Sequence, residues 1–240
     1  FRFLQRRVSA YPSPLPPELE TNLAEANYQF LGLYLPESES GRDRQSWFFT
    51  NGQADQFLQI KVRYGDQGRA SLRMEQNALE SLEKADLALL SPRVVSYHEA
   101  GHTTFLAIHT PVVEHETRKP FDSKELCAVV KALQQLGKPG QAISHGDLTP
   151  WNAWMTPLGP VVIDWEGLSE RSAVAYDALY YLVSCQYAGI TAPQIADVTQ
   201  AFGKQGIAEA AEEMLTMAPK GYQKTLTALL SAAQGTHGAL

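Results

Sequence analysis

A chain of 240 residues with 44% apolar and 19% charged residues has an ordinary globular composition, too apolar for a disordered chain. No apolar run approaches the roughly 20 residues that a membrane-spanning helix requires, and a net charge of -6 argues against a broad nucleic-acid surface while leaning towards a cationic small molecule. The length accommodates one large domain or two small ones. Cys127 and Cys185 both fall in apolar, helical-looking stretches, which reads as reduced core thiols and fits a cytoplasmic setting better than a disulfide.

The chain opens at Phe1 rather than Met and carries no signal-peptide pattern, as in a chain trimmed at its N-terminus or one lacking its first residues. Arg2, Arg6 and Arg7 lead into Pro12, Pro14, Pro16 and Pro17, and that proline density predicts an extended arm over residues 1–20, packed on the body rather than binding nucleic acid. Leu19, Leu23, Ala26 and Phe30 recur at helical spacing and predict a short amphipathic helix over 18–30. Residues 33–35, 46–50 and 56–62 read as strands of an antiparallel meander, with Asn51-Gly52 as a turn signal.

Lys61 lies inside the third of these strands with apolar neighbours on both sides, either as a solubilising edge-strand lysine or as a cation with a buried partner. A helix over 69–85 supplies the partner. At about 100° per residue, Glu75, Leu79 and Leu82 share one stripe, which puts a carboxylate on the core-facing side, where an unpaired charge is costly. Glu80 and Glu83 lie off that stripe, so the expected ion pair is Lys61–Glu75. Residues 93–97 and 103–108 read as two more strands, after which Pro111 within His109-Thr110-Pro111-Val112-Val113 stops the sheet. The histidines at 98, 102, 109 and 115 show no paired metal-ligand spacing.

Residues 123–136 form a second amphipathic pattern, with Ser123 as its N-cap and Gly137 as its stop. It leads into Ser144-His145-Gly146-Asp147-Leu148-Thr149-Pro150-Trp151-Asn152, whose Gly and Pro predict a loop. Residues 152–155 and the apolar run Val161-Val162-Ile163 read as a hairpin turned by residues 156–160, which folds Asp164 back towards Asn152. Three oxygen-bearing side chains, Asp147, Asn152 and Asp164, are then expected at one mouth. Trp151 and Trp154 are expected to be core. Asp177 opens a further helix, and residues 191–230 are helical by periodicity, with Glu209, Glu212 and Glu213 expected on a solvated face.

Phosphoryl transfer needs hard oxygen ligands for Mg²⁺ and a separate carboxylate to orient the attacking hydroxyl. His-Gly-Asp-x-x-x-x-Asn followed by Ile-Asp-Trp-Glu resembles the catalytic core of the aminoglycoside phosphotransferase and choline kinase superfamily. That resemblance implies an α+β, bilobal protein-kinase-like fold. Its N-terminal lobe, over 1–110, is a small antiparallel sheet with one helix; the mainly helical C-terminal lobe covers 111–240. It implies Asp147 as catalytic base, Asn152 and Asp164 as Mg²⁺ ligands, and Lys61, braced by Glu75, on the α and β phosphates of ATP. It places adenine against the backbone at Thr110 and Val112, and a phosphate-covering loop, including Ser40 and Gly41, in the segment 36–44. That segment lacks the Gly-x-Gly-x-x-Gly of protein kinases and reads equally as a plain hairpin loop. Glu166 is a further candidate for the metal or the acceptor, and the resemblance implies that His145 packs and braces the loop and that Asp177 is a structural cap of this region. The interval from Asp164 to Asp177 has no room for a long activation segment, which favours a small hydroxyl-bearing acceptor over a protein one. The sequence leaves open ATP or GTP, an aminoglycoside, choline-like or sugar acceptor, and a nucleotide-binding pseudokinase that acts through a protein partner.

Overall fold

The computed structural model describes residues 15–34, 44–52, 56–111, 118–138, 141–171 and 173–235. The chain divides into two compact units, Phe1–Lys84 with Ser91–Val113, and Ala85–Leu90 with Glu114–Leu240.

The first unit is a five-stranded antiparallel sheet with a helix on each face. Helix α1 (Pro17–Glu25) begins on Pro17, whose fixed φ and missing N–H suit the first helical turn, so the proline run ends in a helix rather than excluding one. It stops before Asn27, which takes a left-handed φ of 56°. Phe30, expected on that helix, therefore belongs to β1 (Gln29–Tyr34), where its ring meets Phe49 edge-on at 5.4 Å. Strands β2 (Arg44–Thr50), β3 (Gln56–Tyr64), β4 (Arg93–Ala100) and β5 (Thr103–Pro111) complete the sheet in the order β1-β2-β3-β5-β4.

Alternation along β3 decides what each face carries. Leu58, Ile60 and Val62 join Trp47, Phe49, Phe105 and the α1 residues Leu19 and Leu23 in one buried cluster. Lys61 therefore points to the opposite face, where helix α2 (Gly65–Ala85) buries Leu72, Glu75, Ala78, Leu79 and Leu82. The expected ion pair is formed there. Lys61 Nζ donates to Glu75 Oε1 at 2.7 Å, and both side chains are buried.

In the second unit, helix α3 (Ser123–Leu133) is capped by Asp122 rather than Ser123. Asp122 Oδ1 accepts from the Glu125 N–H and Glu125 Oε2 accepts from the Asp122 N–H, both at 2.8 Å. A 3₁₀ turn over Gln134–Leu136 follows, so the regular helix ends a turn earlier than the periodicity predicts. Short strands β6 (Ala142–Ser144) and β9 (Ser169–Arg171) pair antiparallel, as do β7 (Ala153–Thr156) and β8 (Gly159–Val162), which make the expected hairpin. Helix α4 (Tyr176–Tyr187) is buried from Tyr176 to Cys185 on every side, as a central helix must be. It packs against α3, α5 (Ile195–Met217, kinked at Gly203) and α6 (Lys220–Gly235). Cys127 and Cys185 are buried free thiols. Among the described residues no helix is long and apolar enough to cross a membrane.

Removing one partner of a buried pair leaves an uncompensated charge. Glu75→Ala is thus expected to lower stability by roughly 3–5 kcal/mol in urea unfolding, while Lys61→Met combined with Glu75→Leu returns most of that loss. A Glu75→Ala protein as stable as the wild type would show that the pair contributes nothing to the fold.

Candidate active site

The loop from His145 to Asn152 is held at its start by Asp177, in the first turn of α4. Its carboxylate accepts from the Ser144 hydroxyl at 2.8 Å, the His145 N–H at 2.7 Å and the Gly146 N–H at 3.2 Å. The strand entering the loop is fixed by Gln134, whose amide takes both the N–H and the carbonyl of Ile143, at 2.9 and 2.7 Å. His145 is fully buried, as expected of a brace: Nδ1 accepts from the Asp147 N–H at 3.3 Å and Nε2 lies 3.0 Å from the Ile163 carbonyl. That pattern assigns the proton to Nε2. The ring also meets Trp165 edge-on at 4.7 Å.

At its far end the loop closes by a turn, with the N–H groups of Asn152 and Ala153 donating to the Thr149 carbonyl at 3.0 and 2.8 Å. The hairpin then brings Ile163 N–H to the Asn152 carbonyl at 2.9 Å, one residue before Asp164, which has a left-handed φ of 65°. The hairpin is framed on both edges, by Leu90 beside Val161 and by Lys119 beside Met155. Asn152 Nδ2 donates to Asp147 Oδ2 at 2.8 Å and to the Asp147 carbonyl at 3.1 Å, so the amide is engaged through its nitrogen. Burial pushes the Asp147 carboxyl up from its ordinary range, and the nearby Asp164 charge pushes it further, against the hydrogen bond from Asn152, which favours the ionised form. Asp147, Asn152 and Asp164 are thus brought together within one unit. An amide oxygen beside two carboxylates is a hard, all-oxygen donor set, and it fits Mg²⁺.

Two glycines set the spacing of this arrangement. Gly146 has a φ of 82°, and a Cβ there would run into the Gly167 carbonyl; a Cβ on Gly167 would stand 2.8 Å from the His145 carbonyl. The loop before Asp147 and the turn after Asp164 are therefore in backbone-to-backbone contact. Gly167 had no flag in the sequence, since nothing there says which loop it approaches.

Of the remaining expected site residues, Lys61 and Glu75 form their pair in the first unit. Thr110 is a buried β5 residue opposite Phe57, with its hydroxyl 3.4 Å from Gln59 Oε1. Ser40, Gly41 and Val112 lie outside the described residues. Trp154 is core, but Trp151 is 40% exposed, because the turn at 149–152 points it away from the packed residues on either side. Glu213 is not on a solvated face: its carboxylate accepts from the Ala173 N–H at 3.2 Å and stands 3.8 Å from Arg171, whereas Glu209 and Glu212 are exposed.

Neither a known protein-family model nor a curated protein sequence matches the chain. Solved structures do. The streptomycin–ATP ternary complex of APH(2")-IIa matches with a TM-score of 0.55 and 14% identity, over 91% of this chain and 97% of that one. The gentamicin complex of the same protein gives 0.53 over the same shares, again at 14% identity. A putative fructosamine-3-kinase from Haemophilus somnus 129PT gives 0.54 and 11% identity, over 88% of this chain and 96% of that one. The chain has the bilobal protein-kinase-like fold of these structures, with an antiparallel-sheet N-terminal lobe and a mainly helical C-terminal lobe.

Because a Cβ at Gly167 meets backbone rather than a side chain that can swing away, Gly167→Ala is expected to cost about 1–3 kcal/mol, with Gly146→Ala costing more because its left-handed φ adds strain. Gly32→Ala, with no atom within 4 Å of the added methyl, is the control and is expected to be nearly neutral. Thermal melts of the three variants check the ranking.

Proposed function

We propose that this chain is a small-molecule kinase that transfers the γ-phosphoryl group of a nucleoside triphosphate, ATP in the first instance and GTP by the same chemistry, to a hydroxyl of a small acceptor. The observation that carries the reading is the Asp147–Asn152 hydrogen bond with Asp164 close enough to act on the Asp147 carboxyl. Asp147 is the base. It accepts the acceptor hydroxyl's proton as the acceptor oxygen bonds to the γ-phosphorus and the bond to the bridging oxygen breaks, with the nucleoside diphosphate leaving. Asn152 and Asp164 are the metal ligands, and bound Mg²⁺ would supply charge neutralisation at the phosphates. Lys61, aimed by Glu75, engages the α and β phosphates, and the backbone at Thr110 and Val112 receives the base. Ser40 and Gly41 belong to the proposed phosphate-covering loop.

The gentamicin and streptomycin complexes and the fructosamine kinase among the similar structures support an acceptor that is a small, hydroxyl-rich amine or sugar. The net charge of -6 favours the amine. Two buried free thiols support a reducing, cytoplasmic setting.

Calorimetric titration with ATP and with GTP, with and without Mg²⁺, tests the reading. Metal-dependent binding is expected in the wild type and is lost in Asp164→Ala; Asp147→Ala binds nucleotide like the wild type but turns over on the order of a hundred- to ten-thousandfold more slowly in an acceptor screen. Binding with no turnover on any acceptor would point instead to a nucleotide-binding scaffold acting through a partner, and no binding at all would overturn the kinase.

A further inference from the structure

From Gln141 to Thr156 the chain runs through β6, the loop and β7, and Trp151 is the one exposed residue in that stretch. It is also the one open tryptophan of the four, since Trp47, Trp154 and Trp165 are buried. Each of those three has a partner for its ring or its N–H. Trp47 Nε1 donates to Gln45 Oε1 at 3.0 Å and Trp165 Nε1 to the Val162 carbonyl at 3.1 Å, while the Arg118 guanidinium lies 4.3 Å over the Trp154 ring. Among the described residues the Trp151 indole makes no hydrogen bond and no ring or cation contact.

The turn explains why position 151 faces outward, but not why a tryptophan stands there. Gly, Asn, Asp or Ser serves such a position, and an indole left in water forgoes the burial that is its main contribution to a fold. The backbone under it is fixed on both sides. Pro150 restricts φ just before it, and the N–H groups of Asn152 and Ala153 just after it share the Thr149 carbonyl. Asn152 Nδ2 also bonds both the carboxylate and the carbonyl of Asp147, which closes residues 147–152 on themselves. Leu148, Thr149 and Asn152 fill the buried side of this closed loop; Asp147, Pro150 and Trp151 are its less buried members. The candidate base and a rigidly mounted indole therefore share the open side of one small loop. From Pro139 to Glu170 the sequence has no Lys or Arg and four acidic residues, Asp147, Asp164, Glu166 and Glu170. An indole face carries the negative end of its quadrupole and attracts cations more strongly than the other aromatic rings. Beside a carboxylate, in a stretch without positive charge, such a face suits an ammonium group; a neutral alcohol gains only apolar contact from it.

We propose that Trp151 is a platform for an ammonium-bearing ligand, and the residue that selects such a cation over a neutral alcohol of the same shape. That this cation is the phosphoryl acceptor rests on the kinase reading; the binding itself does not. Trp151 takes no part in holding nucleotide or metal in this scheme, so its loss weakens the acceptor and leaves the nucleotide alone.

Selective quenching of tryptophan fluorescence tests the platform. Acrylamide is expected to quench an accessible component in the wild type that Trp151→Phe lacks, because the other three tryptophans are buried. Gentamicin, streptomycin and choline are the cationic probes; sucrose and the neutral alcohol with carbon in place of choline's nitrogen are the controls. At least one cation is expected to shield Trp151 saturably, and neither control to do so. Shielding by none of the cations, or by a control at similar concentration, would overturn the proposal. This comparison needs only the wild type, so it decides even where a variant fails to fold. Calorimetry then reads the Kd of the shielding cation, which is expected to weaken roughly 2- to 30-fold in Trp151→Leu, the range of a cation on an aromatic face, and less in Trp151→Phe. An unchanged Kd in Trp151→Leu counts against the platform. In turnover, Trp151→Leu is expected to raise KM for that cation by the same factor with KM for MgATP unchanged. A protein that binds the cation but phosphorylates no acceptor leaves the platform standing and sinks the kinase reading. Turnover with the acceptor KM unchanged in Trp151→Leu does the reverse.

Discussion

The Asp177 carboxylate is buried, and three donors from consecutive residues, Ser144, His145 and Gly146, converge on it. Burial pushes this carboxyl upward, so its charge is tolerated only because those donors replace the water it has lost. The dependence runs in both directions. The backbone N–H of His145 belongs to an irregular loop with no strand or helix to pair it, and without Asp177 it would be a buried donor lacking a partner, while Gly146 N–H would keep only the Ser144 hydroxyl, at 2.9 Å. A helix buried on all sides thus places one charge at its first turn and, through it, settles the conformation of the loop that follows.

From that anchor, the rest of the site follows with few free choices. The loop enters with a left-handed glycine, passes beneath the Gly167 turn, and exits through the turn at Thr149 into the hairpin. His145 ties the two segments a second time through Ile163. Asp147, Asn152 and Asp164 are each a residue or two from a backbone contact that cannot be displaced without breaking another. Carboxylates near one another repel, and it is this fixed backbone, with Asn152 as a neutral neighbour, that keeps Asp164 close enough to raise the Asp147 carboxyl.

How much of this was legible in the sequence depends on the range over which each contact acts. The Lys61–Glu75 pair joins one strand to the next helix, and the 2-residue period of the strand with the 3.6-residue period of the helix was enough to find it. The hairpin was legible because its turn and its apolar run are adjacent. Errors fell where two neighbouring residues compete for one role. Asp122 outcompeted Ser123 as cap because Glu125 completes the box from the third position after it. Phe30 fits the helical period, but Asn27 takes the left-handed conformation first and ends the helix before the period can continue. Trp151, apolar by type, was expected inside; the turn that satisfies the Asn152 and Ala153 N–H groups leaves it outward, and backbone hydrogen bonding prevailed over burial of one side chain.

Contacts that cross the unit, by contrast, leave almost no mark on the sequence. Tyr180 of α4 packs on Tyr222, which comes from a helix further on, so no local period connects them. The same difference explains why the fold persists in solved structures at 11–14% identity. A sheet with one apolar face to each helix and a central helix buried all round require a pattern of residue types, which many sequences satisfy. The residues of the candidate site are held by backbone contacts and a few side chains, Asp177 and Asn152 among them. The helices α5 and α6 pack on α4 through largely apolar contacts such as Tyr222 on Tyr180, so their facing residues are free to differ.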